Sequence, residues 1–127
     1  MHTYLVSLGS NFNADFNMRV GSSLLSVCFP KITFSCVLRT KGIGLSYDCW
    51  YLNRMAKIIS SMDFVAMSRA LKEIERQMAR QHRSRYVTFD LDLVKIDGKI
   101  VHKDYNKYPF LSQLGKEVES NIDNKVL

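Results

Sequence analysis

Thr3 to Leu8 (T-Y-L-V-S-L) is a short run of β-branched and aromatic residues that ends at Gly9, which predicts a first strand. Gly9-Ser10-Asn11 follows as a turn, and Asn13 or Asp15 can cap a helix running to about Cys28. Within that helix Phe16, Val20, Leu24 and Val27 fall near helical spacing, and Gly21 weakens it. Pro30 punctuates. Lys31 to Arg39 (K-I-T-F-S-C-V-L-R) alternates as a second strand. Thr40 to Trp50 holds two glycines and little periodicity, so it reads as a loop of functional length, and Tyr51 to Ser60 reads as a third strand.

The second helix has the clearest pattern. Ser61 can cap it and Asp63 complements its positive end, while Phe64, Met67, Leu71, Ile74 and Met78 recur at three and four to about Arg80. A Met-containing stripe at this spacing is core. Val87 to Ile96 predicts a fourth strand, and Asp97-Gly98 is a hairpin turn into Lys99–His102. Beyond Pro109 the tail reads as polar. The order β-α-β-β-α-β with an appended hairpin predicts an α+β, ferredoxin-like sandwich, an antiparallel sheet with both helices on one face. Residues 1–127 are expected to form one domain, since no linker, repeat or low-complexity segment divides them.

Composition narrows the environment. Hydrophobic residues are 46% of the 127, too many for a disordered chain, and no apolar run reaches the ~18 residues of a membrane span. Three cysteines (Cys28, Cys36, Cys49) without C-x-x-C spacing read as free thiols of a reducing cytosol. The N-terminus lacks the features of a secretory signal, so a cytoplasmic location is expected. The net charge is +6, and its distribution says more than its total. Arg69, Lys72, Arg76, Arg80, Arg83 and Arg85 face only Glu73 and Glu75, which concentrates +4 in seventeen residues. Most charge runs are solvated helix faces, but this one leads directly into an acidic pair.

That pair is Asp90-Leu91-Asp92 in the fourth strand. Alternation puts Thr88, Asp90 and Asp92 on one face and Phe89, Leu91 and Leu93 on the other. Two carboxylates at i, i+2 suit a hard divalent cation such as Mg²⁺, which keeps several waters and bridges to phosphates. A bare D-x-D is more often two acids on a wet strand face. Its place after six cations raises the phosphoryl reading, because Mg²⁺ together with arginine is how polyphosphates are held. Glu75 lies about 40° from Leu71 on the helical wheel, at the border of the buried stripe, as a rim residue or a ligand-facing group. Gly9-Ser10-Asn11 offers backbone N–H groups to an anion or is an ordinary turn. His2, His82 and His102 show no ligand spacing, and no P-loop or kinase signature is present.

Five short motifs then occur in one order: Gly9-Ser10-Asn11, Arg39-Thr40-x-x-Ile43-Gly44, Tyr51-Leu52-Asn53, Glu75 to Arg80, and Thr88-x-Asp90-x-Asp92. Together, across residues 3 to 110, they resemble the 6-hydroxymethyl-7,8-dihydropterin pyrophosphokinase family of folate biosynthesis. The resemblance implies a ferredoxin-like fold and transfer of pyrophosphate from ATP to the pterin's hydroxymethyl group, releasing AMP. It implies that Asp90 and Asp92 bind two Mg²⁺ ions and act catalytically with Arg80, which lies near the phosphates. Glu75, Arg80, Arg83 and Arg85 would serve the nucleotide. Asn53 would read the pterin's donor–acceptor edge, Tyr51 would flank the ring, Thr40 and Ile43 would line its pocket, and the Thr40–Trp50 loop would be a lid. ATP and the pterin are the implied partners, with neither nucleic acid nor membrane.

The chain also departs from the pattern. Val87 occupies the position of a family arginine, the family's Trp-Gly-Pro is missing between Arg80 and Val87, and Pro109 is followed by Phe110-Leu111 instead of His-Tyr. Arg83 or Arg85 would be the substitute for the missing charge. Two alternatives therefore stay open: a homologue that binds pterin or nucleotide without turnover, and a basic ferredoxin-like domain that binds RNA. The second lacks the aromatic pattern of RNA-recognition modules, since the third strand reads Y-L-N-R-M-A-K-I.

Overall fold

Strand β1 (His2–Ser10) is the middle of the molecule, with Tyr4, Leu5 and Val6 buried in succession and therefore covered on both faces. The structure, a computed structural model, describes residues 1–41, 50–78 and 88–126. After β1 come α1 (Ala14–Cys28), β2 (Ile32–Phe34), β3 (Leu38–Lys41), β4 (Trp50–Ser60), α2 (Phe64–Gln77), β5 (Asp90–Ile96), β6 (Lys99–Ile100) and α3 (Pro109–Val126). All pairings are antiparallel, in the order β2-β4-β1-β5-β6, with β3 also paired to β4. This is the expected α+β, ferredoxin-like arrangement with its hairpin. At the hairpin turn Asp97 and Gly98 have φ of 50° and 83°, the left-handed values a two-residue turn requires. No helix among the described residues is long and apolar enough to cross a membrane.

One face of the sheet carries α1 and α2. Tyr4, Val6 and Leu8 of β1, Ala56 and Ile58 of β4 and Leu91 of β5 meet Met67, Leu71 and Ile74 of α2. The α2 stripe holds from Met67 to Met78, whereas Phe64, in the first turn, is exposed. Asp63 rather than Ser61 is the cap, its Oδ1 accepting the Ala66 N–H at 2.8 Å.

In α1 the apolar stripe turns out differently. Phe16 and Val27 are 53% and 81% exposed, Val20 and Leu24 are flanking, and the buried face is Met18, Gly21, Ser22 and Leu25. The reason is Phe89, wholly buried, whose ring lies against the backbone of α1 at Gly21. Small residues at 21 and 22 let helix and sheet approach, and this outweighs the larger side chains one step round the helix. Gly21, which weakens the helix in isolation, is what seats it.

The other face carries α3, where the sequence reading expected only a polar tail. Leu111, Leu114 and Val118 recur at helical spacing and cover Leu5, Met55 and Val94, with Tyr105 packed beside them. Glu117 Oε2 accepts the Cys36 N–H at 2.5 Å on one side, and Lys95 Nζ reaches Glu119 Oε1 at 3.4 Å on the other. A hydrogen bond between the Cys36 thiol and the Glu117 side chain, with burial second, pushes the thiol's pKa up. Coverage ends at Ser7, where β1 changes from continuous burial to alternation.

The single second strand expected over Lys31–Arg39 is two. Ile32 pairs with Ile58 and Phe34 with Ala56, but Leu38 pairs with Asn53 and Thr40 with Tyr51, so one residue is inserted between them. Ser35 holds the irregularity: its N–H donates to Met55 O and its Oγ accepts the Met55 N–H, both at 2.8 Å. Arg54 Nε donates to Ser35 O at 2.8 Å, and its guanidinium lies 4.4 Å from the Phe34 ring centre. The insertion reverses the faces, because Ile32 and Phe34 point at the helices while Leu38 and Thr40 point away from them.

Gly21→Ala tests the α1 seating. Alanine gains about 1 kcal/mol in helix propensity, but its Cβ would fall within 2.5 Å of ring atoms of the immobile Phe89. Overpacking of this kind costs about 1–3 kcal/mol, so the expected result is a lower unfolding midpoint in urea. A raised midpoint would contradict the packing described.

Candidate functional site

Two rows of residues cross the open part of the second face. Leu38, Asn53, Gly9 and Asp90 are successive partners across β3, β4, β1 and β5, and Met55, Ser7 and Asp92 form the adjacent row. Gly9 and Ser7 on the middle strand are small, so the floor between Asn53 and the two aspartates stays low. Asn53 and Asp90 are two strand spacings apart, about 10 Å along the sheet. Above this floor is a cavity of about 280 Å³ lined by Thr40, Tyr51, Asn53, Asp90 and Asp92 among others.

Each predicted pocket residue has a local reason for its place. Thr40 reaches the cavity only because of the insertion between β2 and β3, and its Oγ1 accepts from Asn53 Nδ2 at 2.5 Å. That bond fixes which way the Asn53 amide points, leaving Oδ1 over Gly9, 3.8 Å from where a Cβ there would stand. Tyr51, two residues before Asn53, shares its face at the cavity wall. Asp90 and Asp92 share the cavity face of β5 and are both half-buried. Among the described residues no group of three or more His, Cys, Asp or Glu is arranged to hold a metal. Two carboxylate donors with remaining positions left to water and phosphate are, however, the usual protein share of a Mg²⁺ site, so these residues fit that ion.

Glu75 is placed on the other side of β5. It is buried, and its Oε2 accepts the Leu91 N–H at 2.7 Å, a group on the strand edge beyond the reach of β6. The carboxylate does not line the cavity; it holds from behind the residue that separates Asp90 from Asp92. Ser10 fixes the start of the same strand, its Oγ donating to Thr88 O at 2.5 Å. Ser10 is the last residue of β1, so the Gly9-Ser10 segment continues the strand instead of forming the turn.

Sequence reasoning missed the far wall. His102, Asp104 and Tyr108 line the cavity from the segment between β6 and α3 and Phe110 from the first turn of α3, and the Tyr108 and Phe110 rings stack with centres 5.9 Å apart. The spacing Leu111, Leu114, Val118 after Pro109 was the available signal for α3, and α3 is what brings this wall over the sheet. Ile43, Arg80, Arg83 and Arg85 lie outside the described residues, as do Val87 and residues 42–49 of the expected lid.

The fold and cavity together define an α+β protein of ferredoxin-like architecture with a cavity on its sheet, where an amide and paired carboxylates share one floor. The sequence profile of the 7,8-dihydro-6-hydroxymethylpterin-pyrophosphokinase family matches residues 5–120, nearly the whole chain. The chain belongs to that family, whose activity is a pyrophosphokinase step of folate synthesis. No curated protein matches the chain.

Glu75→Ala would leave the Leu91 N–H unpaired, at a cost of about 1–3 kcal/mol. Glu75→Gln keeps an acceptor. Faster hydrogen exchange at the Leu91 amide in the alanine variant, with near-normal exchange in the glutamine one, is the expected pattern. Equal exchange in both variants would rule out the clamp.

Proposed function

We propose that this chain transfers pyrophosphate from ATP to the hydroxymethyl group of 6-hydroxymethyl-7,8-dihydropterin in the cytoplasm, with Mg²⁺, releasing AMP. The observation that carries the reading is the common floor of Asn53, Gly9 and Asp90, which unites a fixed amide with the carboxylate pair in one cavity. Membership of the family supports it independently.

In this reading Asn53 binds the pterin edge, because an amide held at Nδ2 by Thr40 offers its carbonyl in a fixed direction. Tyr51 flanks the ring from β4, with Phe110 and Tyr108 on the opposite wall and Thr40 beside Asn53; the family resemblance would add Ile43 to this set. Asp90 and Asp92 are the residues that would hold the two Mg²⁺ ions. Bound Mg²⁺ supplies charge neutralisation on the phosphate oxygens. The pterin oxygen forms a bond to the β-phosphorus as the bond from that phosphorus to the oxygen bridging to the α-phosphorus breaks. AMP carries away that oxygen, and the hydroxyl proton passes to solvent. Arg80, Arg83 and Arg85 provide the further positive charge that the transferred group requires. Glu75 serves the nucleotide side indirectly, by fixing the strand that presents both aspartates.

Val87, where the family pattern has arginine, favours the second reading, a homologue that binds without turnover. An RNA interface on the sheet is disfavoured by α3, which covers part of that face, and by carboxylates on the remainder. The decisive measurement is AMP release from ATP, hydroxymethyldihydropterin and Mg²⁺. Turnover by the wild type that falls roughly a hundredfold in Asp90→Asn or Asp92→Asn is expected. No AMP from the wild type, with pterin still bound, would replace the enzyme by the binding homologue.

A further inference from the structure

Asp92 has a neighbour that no motif announces. His102 comes directly after the hairpin, where the Val101 N–H donates to Val94 O at 2.9 Å and the Tyr105 N–H donates to His102 O at 3.2 Å. Tyr105 is in turn buried in the α3 core, its hydroxyl against Gly115, so the backbone on both sides of His102 is anchored. The ring is fixed as well. The Asp104 N–H donates to His102 Nδ1 at 3.2 Å, and a nitrogen that accepts a hydrogen bond carries no proton. The remaining proton of the neutral ring is therefore on Nε2, and Nε2 faces Asp92 Oδ1 at 4.0 Å inside the cavity.

We propose that His102 is a positioning residue for Asp92: its Nε2–H engages Oδ1 and thereby presents the other carboxylate oxygen, with Asp90, to the divalent cation. The proposal rests on the cation reading of the previous subsection. The gap of 4.0 Å exceeds a direct N–H···O bond by about 1 Å, a distance that rotation of the carboxylate closes. The ring cannot turn to meet it without losing the Asp104 bond, so the adjustment falls to Asp92. Neutral donors behind ligating groups act in this way, fixing the ligand's orientation before the ion arrives. The hairpin and the 102–105 turn thus become part of the site instead of an appendage to it.

Two amide substitutions separate positioning from mere structure. In His102→Asn the amide oxygen replaces Nδ1 and keeps the Asp104 bond, but the side chain at 102 no longer reaches toward Asp92. In His102→Gln the amide nitrogen stands near the Nε2 position and can still donate. Mn²⁺ binding to the full chain, followed by calorimetry without nucleotide, is the readout, with thermal unfolding as the control for the fold. His102→Gln is expected to bind within about twofold of wild type, and His102→Asn and His102→Ala to bind roughly tenfold more weakly. His102→Asn is expected to unfold with the wild type. Equal weakening in the Gln and Asn variants, or wild-type affinity in all three, overturns the assignment. If the wild type binds Mn²⁺, Asp90→Asn does not, and the three His102 variants match wild type, only the His102 role falls. If the wild type itself fails to bind Mn²⁺, this role and the cation site fall together.

Discussion

The sheet has two faces to bury, and α3 covers only part of the second. Leu5, Met55 and Val94 on that face are apolar and require a cover, which Leu111, Leu114 and Val118 provide. Beyond Ser7 the same face turns to Gly9, Asn53, Asp90 and Asp92, whose polar groups would be costly to enclose in apolar packing. Where the helix stops is therefore set by the residues beneath it. The site is the uncovered remainder of a core face, which gives it a rigid floor without a dedicated loop to build one.

Two irregularities in the strands make that floor. The inserted residue between β2 and β3 moves Thr40 to the cavity side, where it can fix the Asn53 amide. A second register shift, opposite Leu5 and Val6 in β5, leaves Val94 under α3 by plain alternation from Asp92 and brings Lys95 to the same face, where it reaches Glu119 of α3. In both cases an extra residue changes which face the following side chains occupy, at the boundary between covered and open sheet. Glu75 completes the arrangement from the helical side. Its bond to the Leu91 N–H replaces the strand partner that β6 is too short to supply.

What was legible in the sequence follows from which features are local. The Met67–Met78 stripe and the Asp97-Gly98 turn depend on neighbours within a few residues and are present as read, and the β-α-β-β-α-β order holds apart from the break in its second strand and the addition of α3. The carboxylate pair was legible because strand alternation is itself local. The true core face of α1 was not, since Phe89, almost seventy positions away in sequence, decides that Gly21 rather than Val20 faces inward. The strand break at Ser35 was hidden for the same reason: Met55, which bonds Ser35, and Glu117, which bonds Cys36, are distant in sequence. The far wall was lost with α3, whose apolar positions were present but were outnumbered by polar ones in the tail. His102 showed no ligand spacing because ten residues separate it from Asp92, and only the return of the β5–β6 hairpin brings the two within 4.0 Å.

Charge links the site to the rest of the chain. Asp90, Asp92 and Asp104 line one cavity, so its floor repels a bare polyphosphate at the contact distances where Coulomb energies are largest. The chain as a whole is +6, and most of that surplus lies in the stretch from Arg69 to Arg85. At physiological salt, fields are screened over about 8 Å, so the acids of the cavity govern the final approach of an anion whatever the net charge of the chain. On the proposed reading the two signs have separate tasks. The arginines gather the triphosphate, and the carboxylates admit it only in company with a divalent cation, so nucleotide and metal binding are thermodynamically linked. A homologue that kept the basic stretch but lost this coupling would still bind anions, and it would bind them without the ion that the chemistry needs.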